Sequence, residues 1–158
     1  MFNLNHRINR LLIKLSYRFG VSKLYSMPKM LALDPTNRCD LKCPLCPTGL
    51  RDKTVDRGSI KLEQFKSIID RLAKNLQSIN LYSWGEPLLN KSLVDMIRHT
   101  AINHKVRTIT SVHLGNLSNE QVEGLMTSGL DKLIVSVDGA TQEVYEKYRV
   151  GGDIEKVF

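Results

Sequence analysis

The sequence predicts an α/β fold: a parallel sheet built from β–α–β crossovers, preceded by an amphipathic helix. Two observations carry this. Short apolar runs alternate with helical patterns four times along the chain, and each run is followed by a turn and then a helix. The unusual polar residues also cluster just after the apolar runs, at what would be one rim of such a sheet.

The first element is a helix over about residues 5–19. Ile8, Leu11, Leu12, Leu15 and Phe19 recur at helical spacing, and Arg7, Arg10, Lys14 and Arg18 form a basic stripe beside them. Residues 1–29 read as a basic N-terminal arm: no acid precedes Asp34, so the arm holds most of the chain's net charge of +7. Such a stripe suits a membrane-surface or nucleic-acid contact. The plainer expectation is a helix packed on its own domain with solvated charges outside.

Residues 30–158 form the main domain. Strand one is MLALDPT, Met30–Thr36, followed by a cysteine-rich loop and a helix near 61–75 with Leu62, Phe65, Ile68, Ile69, Leu72 and Leu76 on one face. Strand two is SINLYS, Ser78–Ser83, followed by a helix near 91–103 that Asn90 would cap. Strand three is VRTITSV, Val106–Val112. Its helix starts at Ser118, where Gln121 completes a capping box, and stops before Gly129. Strand four is KLIVSVD, Lys132–Asp138, with a helix starting near Thr141.

No apolar run approaches the ~20 residues of a membrane span. The stretch LLIKL is broken by Lys14 and lacks a following cleavage site, so it is a poor secretory signal, and a cytoplasmic location is expected.

All three cysteines lie in TNRCDLKCPLCPTG: Cys39, Cys43 and Cys46, spaced C-x3-C-x2-C. Clustered thiols in an intracellular chain point to metal or catalysis, and thiolates select zinc, copper(I) or iron–sulfur clusters. A structural zinc site takes four protein ligands, which His113 could complete. An iron–sulfur cubane held by three cysteines leaves one iron open to a small molecule. A nucleophilic cysteine would need only one of the three thiols. His6, His99 and His104 read as surface residues.

The cysteine spacing after the first strand, with SWGEPLLN after the second and SVDGATQEVYEKYRVGGD after the fourth, resembles the radical S-adenosylmethionine (SAM) superfamily. The resemblance runs from about Leu31 to the end of the chain, and its wording is similar to the branch with SPASM or twitch extensions. It implies a partial (β/α) barrel, with about four of the family's six β/α units present here. It implies that Cys39, Cys43 and Cys46 ligate a 4Fe-4S cluster whose open iron binds SAM. It implies that the backbone of Gly85, Glu86 and Pro87 holds the SAM amino group. Ser136 and Asp138 are implied at the ribose or carboxylate, and Arg149 at the carboxylate. The implied reaction is reductive cleavage of SAM to a 5′-deoxyadenosyl radical that abstracts hydrogen from a substrate. The implied partners are a flavodoxin- or ferredoxin-like electron donor and a substrate such as a peptide.

Three positions depart from the family. Trp84 stands where a first glycine is usual, Leu45 replaces a common aromatic, and TSVHLGNLS lacks the usual Thr-Asn-Gly ending. With four units instead of six, the chain reads as the N-terminal part of a longer enzyme. A non-catalytic fragment that binds a cluster, and a zinc-binding interaction module, are the alternatives.

Overall fold

Four short strands lie side by side in the computed structural model, which describes residues 4–115 and 117–158. β1 (Met30–Ala32), β2 (Ser78–Asn80), β3 (Arg107–Val112) and β4 (Lys132–Val135) form one sheet in sequence order. Every pair is parallel: Leu31 faces Ile79, Ile79 faces Thr108, and Ser111 faces Ile134. Helix α1 (Leu4–Arg18) precedes the sheet. Helices α2 (Leu62–Leu72), α3 (Leu93–Arg98), α4 (Asn119–Thr127) and α5 (Gln142–Tyr148) each follow a strand. The four expected β/α units are present, as in part of a (β/α) barrel.

The period-two pattern of β3 explains where the core sits. Thr108, Thr110 and Val112 are buried, while Arg107 is exposed and Ile109 and Ser111 are half-buried. The buried side meets Phe65 and Ile69 of α2, Met96 and Ile97 of α3, and Leu125 of α4. The two threonine hydroxyls are satisfied there: Thr110 Oγ1 donates to Leu81 O at 2.9 Å and Thr108 Oγ1 to Val106 O at 3.1 Å.

The strands are shorter than their apolar runs. The β1 ladder ends one hydrogen bond past Ala32, with Leu33 N donating to Asn80 O. The next residues spend their backbone groups on the rim: Ile60 N donates to Pro35 O, and Asn37 N to Gly58 O. Strand four likewise stops at Val135, one bond before Ser136.

The Ser118 capping box forms as expected, with Gln121 N donating to Ser118 Oγ at 3.2 Å. The expected role of Asn90 holds in part. Ser92 occupies the cap position of α3 without a side-chain cap bond, and Asn90 Oδ1 accepts from Ser92 N at 3.0 Å, while the Asn90 amide also donates to Pro35 O (2.8 Å) and Ile60 O (3.1 Å). It ties the start of the cysteine loop to the start of α2. Helix α3 also does not continue regularly to 103; it widens into a π turn over His99–Asn103.

The arm departs from expectation as well. Asn9 clasps Met27 in both directions, accepting from its N–H at 2.7 Å and donating to its carbonyl at 2.9 Å. The apolar stripe packs only in part: Leu12 is half-buried, while Ile8, Leu11, Leu15 and Phe19 stay 42–72% exposed. None of the described helices is long and apolar enough to cross a membrane.

Candidate functional site

The C-terminal ends of the four strands meet at one rim, around a cavity of about 250 Å3. Cys39, Cys43 and Cys46 line it from the loop after β1, and all three thiols are free. The loop is a tight structure. Cys46 N donates to Cys43 O, and Leu50 N to Cys46 O. Thr36 Oγ1 donates to Gly58 O at 2.8 Å and accepts from Ser59 Oγ at 2.8 Å. Lys42 N donates to Val150 O at 2.9 Å, which pins the loop to the segment after α5.

The turn after β2 packs directly on this loop. Glu86 N donates to Arg38 O at 2.8 Å, and Trp84 N reaches both oxygens of Asp34 at 3.0 and 3.2 Å. A Cβ on Gly85 would stand 1.7 Å from Thr36 O. Glycine is therefore required here by the neighbouring backbone, a stronger demand than the close ligand approach that the sequence suggested.

Glu86 is buried, and its carboxylate accepts from Leu88 N (3.3 Å) and His113 N (3.0 Å). Burial pushes its pKa up, against the pull of His113. The His113 ring is buried beside it, with Nε2 2.9 Å from Asp40 Oδ1 and 3.4 Å from Glu86 Oε2. Burial pulls the His113 pKa down, but Asp40, Cys39 and Glu86 outweigh it and raise the value to about 10. Gly115 N donates to Nδ1 at 3.0 Å, which works the other way: a proton on Nδ1 would face that N–H. The hydrogen-bond geometry thus favours a neutral ring with its proton on Nε2, aimed at Asp40.

Arg149 closes the other side. Its Nε donates to Asp138 Oδ2, and its guanidinium lies 5.5 Å from the Tyr148 ring centre. It also faces the Cys43 sulfur. Burial pushes the Cys43 thiol pKa up, Arg149 pulls it down, and the neighbouring Cys39 and Cys46 push it up again. Three converging thiols make a site that suits a thiophilic metal centre, and the guanidinium beside Cys43 favours its thiolate form.

Of the residues predicted for the site, Cys39, Cys43, Cys46, Gly85, Glu86, Ser136 and Arg149 line this one cavity. Ser136 Oγ lies 3.3 Å from Ser111 Oγ, across the ends of β3 and β4. Pro87 and Asp138 do not line it. Pro87 is buried at the start of a 3-10 turn, Pro87–Leu89, and Asp138 is occupied with Arg149. Sequence reasoning missed Tyr82, Tyr148 and Asp40. The two tyrosines flank motifs already singled out. Asp40 carries no local signal, since its partner His113 is 73 positions away.

Comparison with known proteins bears on this arrangement. The family model for the radical SAM superfamily matches residues 33–158. The chain belongs to the radical SAM superfamily. The PqqA peptide cyclase of Rhodopseudomonas palustris is 32% identical over 136 residues, covering 84% of this chain and 34% of that protein. BtrN, solved in complex with AdoMet and 2-DOIA, superposes with a TM-score of 0.63 at 25% identity, covering 84% of this chain and 56% of that one. Streptococcus suis SuiB, solved bound to S-adenosylmethionine and also bound to its precursor peptide SuiA, shares the fold. Its SAM-bound structure has a TM-score of 0.72 at 18% identity, covering 93% of this chain and 33% of that one. The chain spans about a third of the length of the first curated relatives it matches.

Proposed function

We propose that residues 30–158 are the cofactor-binding part of a radical SAM enzyme, with residues 1–29 as an appended arm. Cys39, Cys43 and Cys46 would hold a 4Fe-4S cluster. The backbone of Gly85 and Glu86, with Ser136 and Arg149, would hold SAM. The observation that carries this reading is the convergence of three free thiols, one half-buried guanidinium and the strand-end hydroxyls on a single cavity. The donor set fits: three soft sulfurs suit iron–sulfur ligation and leave one coordination site for a small molecule.

When bound, the cluster supplies one electron for cleavage of SAM to methionine and a 5′-deoxyadenosyl radical, which takes hydrogen from the substrate. The chain's own residues bind and orient. Arg149 exchanges Asp138 for the SAM carboxylate, as a planar fork suits either partner. Ser136 and Ser111 offer hydroxyls at the adjacent strand ends. The Asp40–His113–Glu86 chain braces the cysteine loop against β3. Leu45 and Trp84, 81% and 55% exposed, present apolar surface at the mouth that a substrate or cover would use to keep water out.

The electron donor would be flavodoxin- or ferredoxin-like. A peptide substrate is supported by the likeness to a peptide cyclase. The test is anaerobic reconstitution with iron and sulfide, then strong reductant and SAM. Release of 5′-deoxyadenosine supports the proposal. A loaded cluster without that product favours a non-catalytic fragment.

One observation favours a second reading, a zinc-binding module. Ligand atoms of Cys39, Asp40 and His113 lie within 4.8 Å of one another. Metal analysis separates the two: zinc without acid-labile sulfide would displace the iron–sulfur proposal.

A further inference from the structure

Another group of metal-ligating side chains lies outside the cysteine cavity. Asp70 stands near the end of α2, and His99 and His104 stand at the two ends of the π turn after α3. Both histidine Nε2 atoms lie 2.7 Å from the same oxygen, Asp70 Oδ1. The two rings meet edge to face, with centres 5.0 Å apart. None of the three lines the cavity at the rim.

The convergence has a local cause. On a regular helix of 3.6 residues per turn, side chains five apart diverge by about 140°. The π turn over His99–Asn103 takes one more residue into the turn and brings His104 round to the same side as His99. Such turns inside helices are rare and gather at functional sites. Here the widening has one visible product, which is two imidazoles aimed at one carboxylate.

We infer that Asp70, His99 and His104 form a binding site for a divalent first-row transition ion of the zinc class. Two imidazole nitrogens and a carboxylate oxygen are a donor set that such ions select over calcium or magnesium. The side chains are 12%, 24% and 54% exposed for His99, His104 and Asp70, so the histidines are held by the fold while the site stays open to entry. A tetrahedral ion with bonds of about 2.0–2.1 Å sets its ligands roughly 3.3 Å apart. Each histidine nitrogen, now 2.7 Å from Asp70 Oδ1, therefore needs to move out by about 0.6 Å. The outer partner is present too: the Asn103 amide lies 3.1 Å from His99 Nδ1. An ion on Nε2 places the ring proton on Nδ1, and a turned amide offers its oxygen to that proton.

The test titrates zinc into the full chain with Cys39, Cys43 and Cys46 replaced by serine, which removes the thiols as competitors. One zinc per chain with a micromolar Kd is expected, with a matching rise in Tm. His99→Gln and His104→Gln should each weaken binding by about tenfold or more. No binding at about 100 µM free zinc, far above a micromolar Kd, would overturn the inference, as would unchanged affinity in His104→Gln. A second measurement covers the case in which the serine variant does not fold. In the parent chain, zinc should shift the NMR ring signals of His99 and His104, and unshifted signals refute the site.

Discussion

Gly85 rests against the carbonyl oxygen of Thr36, so closely that a Cβ would stand 1.7 Å from it and 3.1 Å from the carbonyl of Arg38. The turn after β2 and the cysteine loop after β1 are one packed unit. Gly85→Ala should separate them, at the 1–3 kcal/mol or so typical of overpacking, or somewhat more against rigid backbone. The expected result is a lower urea midpoint together with less iron retained after reconstitution. A wild-type midpoint with full iron content would disprove this coupling.

Cys43 is the most buried of the three cysteines, and burial and both other sulfurs push its thiol pKa up. Cys43→Ala is expected to abolish iron and sulfide incorporation without unfolding the chain. Metal analysis after anaerobic reconstitution, with far-UV circular dichroism as control, checks it. Undiminished iron in this variant would remove the basis for the proposed function.

Arg149 is paired with Asp138. Arg149→Ala should leave the cluster in place and weaken SAM binding by about ten- to a hundredfold, the range for losing a hydrogen bond to a charged group. Calorimetric titration of SAM into reconstituted protein measures it. Asp138→Asn is expected to weaken binding less, because it frees the guanidinium. Equal SAM affinity in Arg149→Ala and wild type would take Arg149 out of the cofactor site.

Burial holds the Glu86 carboxyl above its usual pKa. The native state thus binds the proton more tightly than the unfolded chain does. This favours folding below the unfolded value of about 4.3 and is lost as pH rises through the native value. In urea unfolding across the acid range, the stability difference between wild type and Glu86→Gln should shift against wild type as pH rises through that window. A difference independent of pH would mean that Glu86 titrates as it does when unfolded.

The repeating units of the fold were legible because apolar spacing is local. The period of β3, the apolar face of α2 and the Ser118 capping box each depend on residues a few positions apart. What failed depends on distant neighbours. Asn90 does accept from Ser92 N at the start of α3, as its local position suggests, but its amide also serves Pro35 O and Ile60 O, and only the folded chain brings those carbonyls together. Asn90→Ala should leave Pro35 O with Ile60 N alone and take the Asn90 donor from Ile60 O, at about 1–3 kcal/mol, measurable by chemical denaturation. His99 and His104 read as surface residues because five-residue spacing has no meaning on a regular helix. The cysteines and the Gly85 turn were legible as motifs, while the brace between Asp40 and His113 was not.

The hydrogen bond from Lys42 N to Val150 O has a consequence for how the site comes into being. During synthesis the cysteine loop emerges early, but the wall made by Tyr148 and Arg149 arrives with α5. Until then the three thiols are unshielded and free to pair with each other or to pick up stray metal. Closure of the cysteine cavity is therefore a late event, timed by the docking of α5.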